Sequence, residues 1–284
     1  ILWKMYLEQI IYPDHKMTDR HRRWLGYGLK RVVQALAENC RKKDWEKYAA
    51  ELLKYYQDPE QSADTVFILI DTIESVLEQE LSQRDKSLLL SFLRKHGSAA
   101  PQETRAAILL VLKEIDAKDF AGEICSIAES IPAEENIALQ YLQYCIAEKW
   151  DTGDFLKSFP EERIWQEESI VSDIFLDNLK AATPWKLKMI HIELLYERIR
   201  RGNPMPYLHV AAHLSNLLKV SEQVAVRHFA GETLVRLAPF LSGDQLNEIT
   251  IELMKGLEIG AFEFSKYIPE YLGRFVMYLH PREL

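Results

Sequence analysis

Eight side chains near the start of the chain are of the types that grip phosphates or partner surfaces: Lys16, Arg20, Arg22, Arg23, Trp24, Tyr27, Lys30 and Arg31. His15 and His21 sit among them, and Arg41, Lys42 and Lys43 follow. Cations interleaved with aromatic rings can clamp phosphates and stack bases, or form a phosphate- or partner-binding patch on a helix face. Residues 1–60 carry 12 Lys/Arg against 9 Asp/Glu, a balance of +3, whereas the rest carries 23 against 34, a balance of −11. An acidic chain repels nucleic acid and anionic membrane surfaces wherever no local patch overrides its field. The expected use of this segment is therefore a solvated or protein-binding helix face, with nucleic-acid binding as the alternative.

The other chemistry-bearing residues do not assemble into a recognisable constellation. His209 and His213 have the i, i+4 spacing of zinc hydrolases, but Val210 stands where that motif needs a Glu base. A third ligand would have to be His191 or Glu193, and His191 lies on a stripe with Leu187, Ile190 and Leu194 that is expected to be buried. Cys40, Cys125 and Cys145 are odd in number and widely spaced, which indicates neither a disulfide framework nor a metal cluster. They fit a reducing, cytoplasmic compartment. Gly26 and Gly28 form a Gly-x-Gly without a preceding strand or a third glycine, so close helix packing is expected rather than dinucleotide binding. Glu134 and Glu135, Glu161 and Glu162, and Glu167 and Glu168 fall in expected first helical turns, where the helix dipole accounts for them. No catalytic, metal-binding or cofactor-binding residue is assigned.

The elements that position these residues read as helices throughout. Hydrophobic residues make up 48% and charged residues 27%, with no low-complexity tract, and the apolar run 106–112 is far shorter than a membrane span requires. The first helix is expected from Trp3 to Tyr12, before Pro13. The second is capped at Thr18 and Asp19 and runs to Asn39; the third is capped by Asp44 and runs to Gln57. Residues 62–81 are expected to form a fourth helix. Ser82 with Asp85 then makes a capping box for a fifth, stopped at Gly97. Further helices are expected from Pro101, near residues 120–131, from Pro132 to Trp150, and from Pro160 to Ala182, with an irregular join at 151–160. Thr183, Asn203, Ser221 and Ser242 each stand at an N-cap position. Ser242 has Gln245 three residues on, as a capping box requires. Residues 66–70 have a strand-like composition but lie inside a longer helical pattern.

Those caps recur every 38 or 39 residues, and the same period appears in the side chains. With residues 226–246 laid over 264–284, an offset of 38, Glu232 falls on Glu270, Leu234 on Leu272, Arg236 on Arg274, Leu241 on Leu279 and Leu246 on Leu284. Two helices per repeat of this length is the period of an αα-hairpin array. The segment VAVRHFAGETLVRLAPFL, residues 224–241, resembles the second helix of a HEAT repeat, with Val226, Arg227, Ala230, Leu234, Leu237 and Leu241 in the family's places. FEFSKYIPEYLGRFVMYL, residues 262–279, resembles the next copy, except that Ser265 replaces Arg227. The resemblance is clearest over residues 203–284. It implies a right-handed α-solenoid, a superhelix of stacked antiparallel helix pairs whose concave face binds another macromolecule.

Three regions are expected within one continuous solenoid: a mildly basic helical segment over 1–60, irregular helical pairs over 61–182, and regular HEAT-like repeats over 183–284. Ile1 at the start, and Pro281 through Leu284 resembling a turn into another helix, suggest a piece of a longer protein. Its last helix pair would then expose apolar surface that a following repeat covers. The expected function is a non-enzymatic scaffold or protein-interaction module, bound to another protein or to another domain of the same chain, without a cofactor and away from membranes. One alternative is a regulatory or spacer segment attached to a nucleotide-handling enzyme domain such as a nucleotidyltransferase. The other is a HEAT-like nucleic-acid-binding module or DNA-repair glycosylase.

Overall fold

A computed structural model describes the chain except for residues 1, 15, 58–60, 78–79, 151–153, 158, 160–163, 166–183, 203–206, 259–261 and 280–284, and gives the backbone alone at 19–20 and 263–264. The described residues form helices and short connections and contain no strand. None of the described helices is long and apolar enough to cross a membrane. The chain divides into two units, Ile1–Phe159 and Pro160–Leu284.

The first unit contains α1 (Leu2–Ile11), α2 (Asp19–Asn39), α3 (Lys42–Leu53), α4 (Ala63–Val76), α5 (Gln83–Gly97), α6 (Gln102–Glu114), α7 (Ala121–Ser130), α8 (Ile137–Trp150) and the single turn α9 (Asp154–Lys157). Alternate helices pack together. α1 lies on α2, α2 on α4, α4 on α6 and α6 on α8, while α3 lies on α5 and α5 on α7. The apolar stripe of each helix enters a shared core: Leu29 and Val33 from α2, Leu69 and Ile73 from α4, and Ala107, Ile108 and Val111 from α6 are all buried.

The starts of these helices follow from single side chains. Thr18 accepts a hydrogen bond from the backbone N–H of His21 at 3.3 Å, and Ser62 accepts one from that of Thr65 at 3.3 Å. Ser82 accepts from the N–H of Asp85 at 3.2 Å, and its hydroxyl donates to the Asp85 carboxylate at 2.6 Å. Other boundaries differ from expectation. Asp44 is not a cap: α3 begins at Lys42, two residues earlier, with the Trp45 N–H bonded to the Arg41 carbonyl and the Trp45 side chain buried. Asp44 sits in the first turn, where its charge meets the helix dipole. α4 stops at Val76 rather than at Leu81, which is buried within the connection to α5. Pro132 opens no helix. Residues 131–136 are irregular, and Asn136 caps α8 by accepting from the N–H groups of Ala138 at 2.9 Å and Leu139 at 3.4 Å. Gly97 ends α5 without left-handed backbone; a Cβ there would lie 3.2 Å from Ile131.

The described part of the second unit contains α10 (Trp185–Arg200), α11 (Tyr207–Val220), α12 (Val224–Leu237), α13 (Gly243–Glu258), the short α14 (Phe262–Ser265) and α15 (Ile268–Val276). α10 packs on α12 and α12 on α15, while α11 packs on α12 and on α13. Gly202, at φ 79°, turns the chain out of α10. Ser242 and Gln245 form a reciprocal capping box at α13, with bonds of 3.3 and 3.0 Å. Ser221 does not cap α12. Its N–H closes the end of α11 on the Leu217 carbonyl, and Gln223 occupies the N-cap of α12 without a side-chain bond. Thr183, Asn203 and Gly260, and most of the helix expected over 160–182, lie outside the described residues.

Helices α10, α12 and α14 start at Trp185, Val224 and Phe262, 39 and then 38 residues apart. The offset of 38 also carries burial: Ala230 and Ile268, Thr233 and Tyr271, Leu237 and Phe275, and Leu241 and Leu279 are buried in pairs. The second copy is not one continuous helix. A turn at Lys266 and Tyr267 separates α14 from α15, and Pro269 lies in the first turn of α15. Proline there lacks only an N–H that has no intrahelical partner; deeper in a helix it would break the ladder.

Candidate interaction surface

Helix α2 carries the basic and aromatic residues picked out from sequence, and its neighbours divide them by face. On the side facing α4, the Lys30 ammonium bonds to Asp71 at 3.1 Å and to Glu74. Burial works to lower the Lys30 pKa, but the two carboxylates outweigh it and hold the value above that of an ordinary lysine. Arg22 donates to the Ser62 hydroxyl at 3.0 Å and lies 3.9 Å from Asp64. Arg23 reaches past α4, 3.9 Å from Asp64 and 3.6 Å from Glu103 of α6, with its guanidinium over the Phe67 ring. Lys16 is exposed in the connection before α2, its backbone N–H on Asp14, and the Arg20 side chain lies outside the described residues.

On the outer face, Trp24 is 71% exposed and Tyr27 58% exposed. Arg31 is exposed beside them and donates to the Tyr27 hydroxyl at 3.5 Å. Their spacing, i, i+3 and i+7, places the three on one side of the helix. Arg31 makes no ion pair with a carboxylate among the described residues.

The two glycines of α2 account for its close packing. A Cβ on Gly26 would lie 2.8 Å from Ile68 of α4, and one on Gly28 would lie 2.8 Å from the Tyr6 ring of α1. Each glycine admits one neighbouring helix.

The histidines do not converge. His209 is exposed and His213 half-buried on α11, while His191 is buried on α10, where burial lowers its pKa to about 4. Among the described residues no three His, Cys, Asp or Glu side chains stand close enough to hold a metal ion. Among the described residues, a concavity lined by Trp3, Val33, Trp45 and Leu52 holds only about 10 Å³. That is room for a single water, not for a substrate.

One polar cluster was not foreseen. His228 of α12 shares a 2.7 Å hydrogen bond with the Tyr271 hydroxyl of α15 and meets the Tyr267 ring edge-on, while the Arg227 guanidinium lies over that ring. The Tyr271 ring covers Gly231, and burial, with Glu270 and Glu232 nearby, raises its pKa to about 12. Arg274 grips Glu232 with both terminal nitrogens, one at 2.9 Å. Laying the copies over each other pairs Glu232 with Glu270 and Arg236 with Arg274, which conceals this bond. The signal lies at one period plus one helical turn, because a stacked neighbour is met across a turn. On the outer side of the second unit, α13 exposes Ile251, Met254 and Leu257, and Met277 is exposed at the end of α15.

Searches of protein-family models, curated proteins and solved structures return no match to the chain.

Proposed function

We propose that the chain is a non-enzymatic scaffold, a protein-interaction module built from HEAT-like helix pairs stacked in the manner of a right-handed α-solenoid. The observation that carries this is the recurring packing of alternate helices, α2 on α4, α4 on α6 and α6 on α8 in the first unit and α10 on α12 and α11 on α13 in the second. Supporting it, polar bonds join alternate helices at recurring separations: Arg22 to Ser62, 40 residues; Lys30 to Asp71, 41; Glu232 to Arg274, 42; His228 to Tyr271, 43. Such arrays work through extended surfaces. Among the described residues α2 exposes Trp24 and Tyr27, and its Arg22, Arg23 and Lys30 are held by carboxylates of α4 and α6. That favours another protein, or another domain of the same chain, over nucleic acid. Cys40, Cys125 and Cys145 are not joined in disulfides, which suits a reducing compartment, and we place the protein in the cytoplasm.

The discriminating experiment is a gel-shift titration of the whole chain with single-stranded and duplex oligonucleotides at about 50 mM salt, where phosphate contacts are strongest. No retained complex is expected. A complex that weakens steeply as salt is raised would transfer the assignment to nucleic-acid binding.

A further inference from the structure

We infer that the outer face of α2 is a docking site for a protein segment that presents one apolar side chain to Trp24 and Tyr27 and one carboxylate to Arg31, an inference that rests on the interaction-module reading above. Trp, Tyr and Arg are the residue types that dominate binding energy in protein interfaces. The two rings offer large rigid area at little conformational cost, because each has only two side-chain torsions. Their exposure, 71% and 58%, leaves that area uncovered by the described helices.

Charge selects the partner's class. Of the cations on α2, Arg22, Arg23 and Lys30 lie against Asp64, Asp71, Glu74 and Glu103. These four carboxylates already neutralise the three cations, which are then not offered as a row to a polyphosphate backbone. Arg31 differs: among the described residues its side chain hydrogen-bonds to the neutral Tyr27 hydroxyl, at a long 3.5 Å, and to no carboxylate. A guanidinium presents a planar fork that a carboxylate fills with two parallel hydrogen bonds. The face is thus complementary to a single negative charge beside an apolar group, not to a row of phosphates.

The geometry also sets a spacing. Trp24 and Arg31 are seven residues apart on a helix, roughly 10 Å at about 1.5 Å per residue. A partner spans that distance with three residues of extended polyproline II chain, at about 3.1 Å each and with three residues per turn so that both side chains face α2, or with seven residues of helix. The apolar and acidic residues of the partner are therefore three apart if it docks extended and seven apart if it docks as a helix.

The test is selection of a random 12-residue peptide display library on the whole chain, followed by fluorescence anisotropy with the enriched peptides. Enrichment of an apolar and an acidic residue at one of those two spacings is expected. Trp24→Ala and Arg31→Glu should each weaken binding at least tenfold, with Arg31→Lys intermediate. Replacing the peptide's acid by its amide should cost the native chain the same factor and cost Arg31→Glu nothing more. That last comparison leaves the protein's fold untouched, and circular dichroism melts verify that the variants fold. Peptides that bind but ignore Trp24 and Arg31 would overturn this site while leaving the interaction-module reading in place. Absence of enrichment would overturn the site. An oligonucleotide bound through Trp24 and Arg31 would overturn both.

Discussion

Lys30 shows how a residue's neighbours decide its role. Alone on a helix it is one of six cations between Lys16 and Arg31; in the fold it joins α2 to α4 through Asp71 and Glu74. Removing the ammonium takes a charged donor from two half-buried carboxylates, so Lys30→Met should lower unfolding free energy by about 1–3 kcal/mol, the scale of losing a hydrogen bond between charged groups. Urea denaturation measures this. The folded Lys30 pKa is raised, so its contribution is complete below the unfolded value near 10.4 and is lost as pH climbs through the folded one. His191 acts at the other end of the scale. Its folded pKa of about 4 lies below the unfolded value of about 6.5, so both states are neutral above that value. As pH falls from about 6.5 to about 4 the unfolded chain takes up a proton that the folded chain refuses, and stability declines by up to about 3 kcal/mol. His191→Leu should flatten the pH dependence of the melting temperature across that window. Sequence revealed the residue types of the α2 patch and the buried stripe around His191. It did not reveal which cations are already paired, because their carboxylates lie some 40 residues away and come close only through helix stacking.

At the scale of the element, the caps were legible where a Ser or Thr had a usable partner three residues on, as at Thr18, Ser82 and Ser242. They were misread where a stronger-looking signal stood nearby. Pro132 suggests a helix start, yet the following residues are held as a loop by side chains from α8: Gln143 donates to the carbonyls of Ala128 at 2.7 Å and Ile131 at 2.9 Å, and Gln140 to those of Ala133 and Glu134, both at 3.0 Å. Buried amides that satisfy a loop's carbonyls leave no local trace in that loop's own sequence. Gln143→Leu should cost about 1–3 kcal/mol by removing the amide donor shared by two carbonyls, of which that of Ala128 keeps only the Ile131 N–H, at 3.2 Å. The glycines offer an internal contrast. Gly26→Ala forces a methyl into Ile68 and should destabilise by about 1–3 kcal/mol. Gly122→Ala, in α7 with nothing within 4 Å of the new Cβ, should stabilise by about 0.5–1 kcal/mol. Paired chemical denaturation curves measure both.

At the scale of the molecule, helical content and the 38-residue spacing near the C-terminus followed from side-chain periodicity, whereas of the caps expected at that spacing Ser242 forms and Ser221 does not. The spacing of alternate helices in the first unit did not, because α2, α4, α6 and α8 begin at Asp19, Ala63, Gln102 and Ile137, at unequal intervals. What recurs there is the packing of each on the last, carried by different side chains every time. A stack joined only through nearest neighbours transmits damage over a short range, whereas a single globular core fails as a whole. Hydrogen exchange of Gly26→Val against the native chain measures that range directly. The account predicts that protection falls in α2 and in its direct neighbours α1 and α4, while α8 keeps its native protection. Loss of protection in α8 equal to that in α2 would contradict the stacked architecture and, with it, the interaction module built on it.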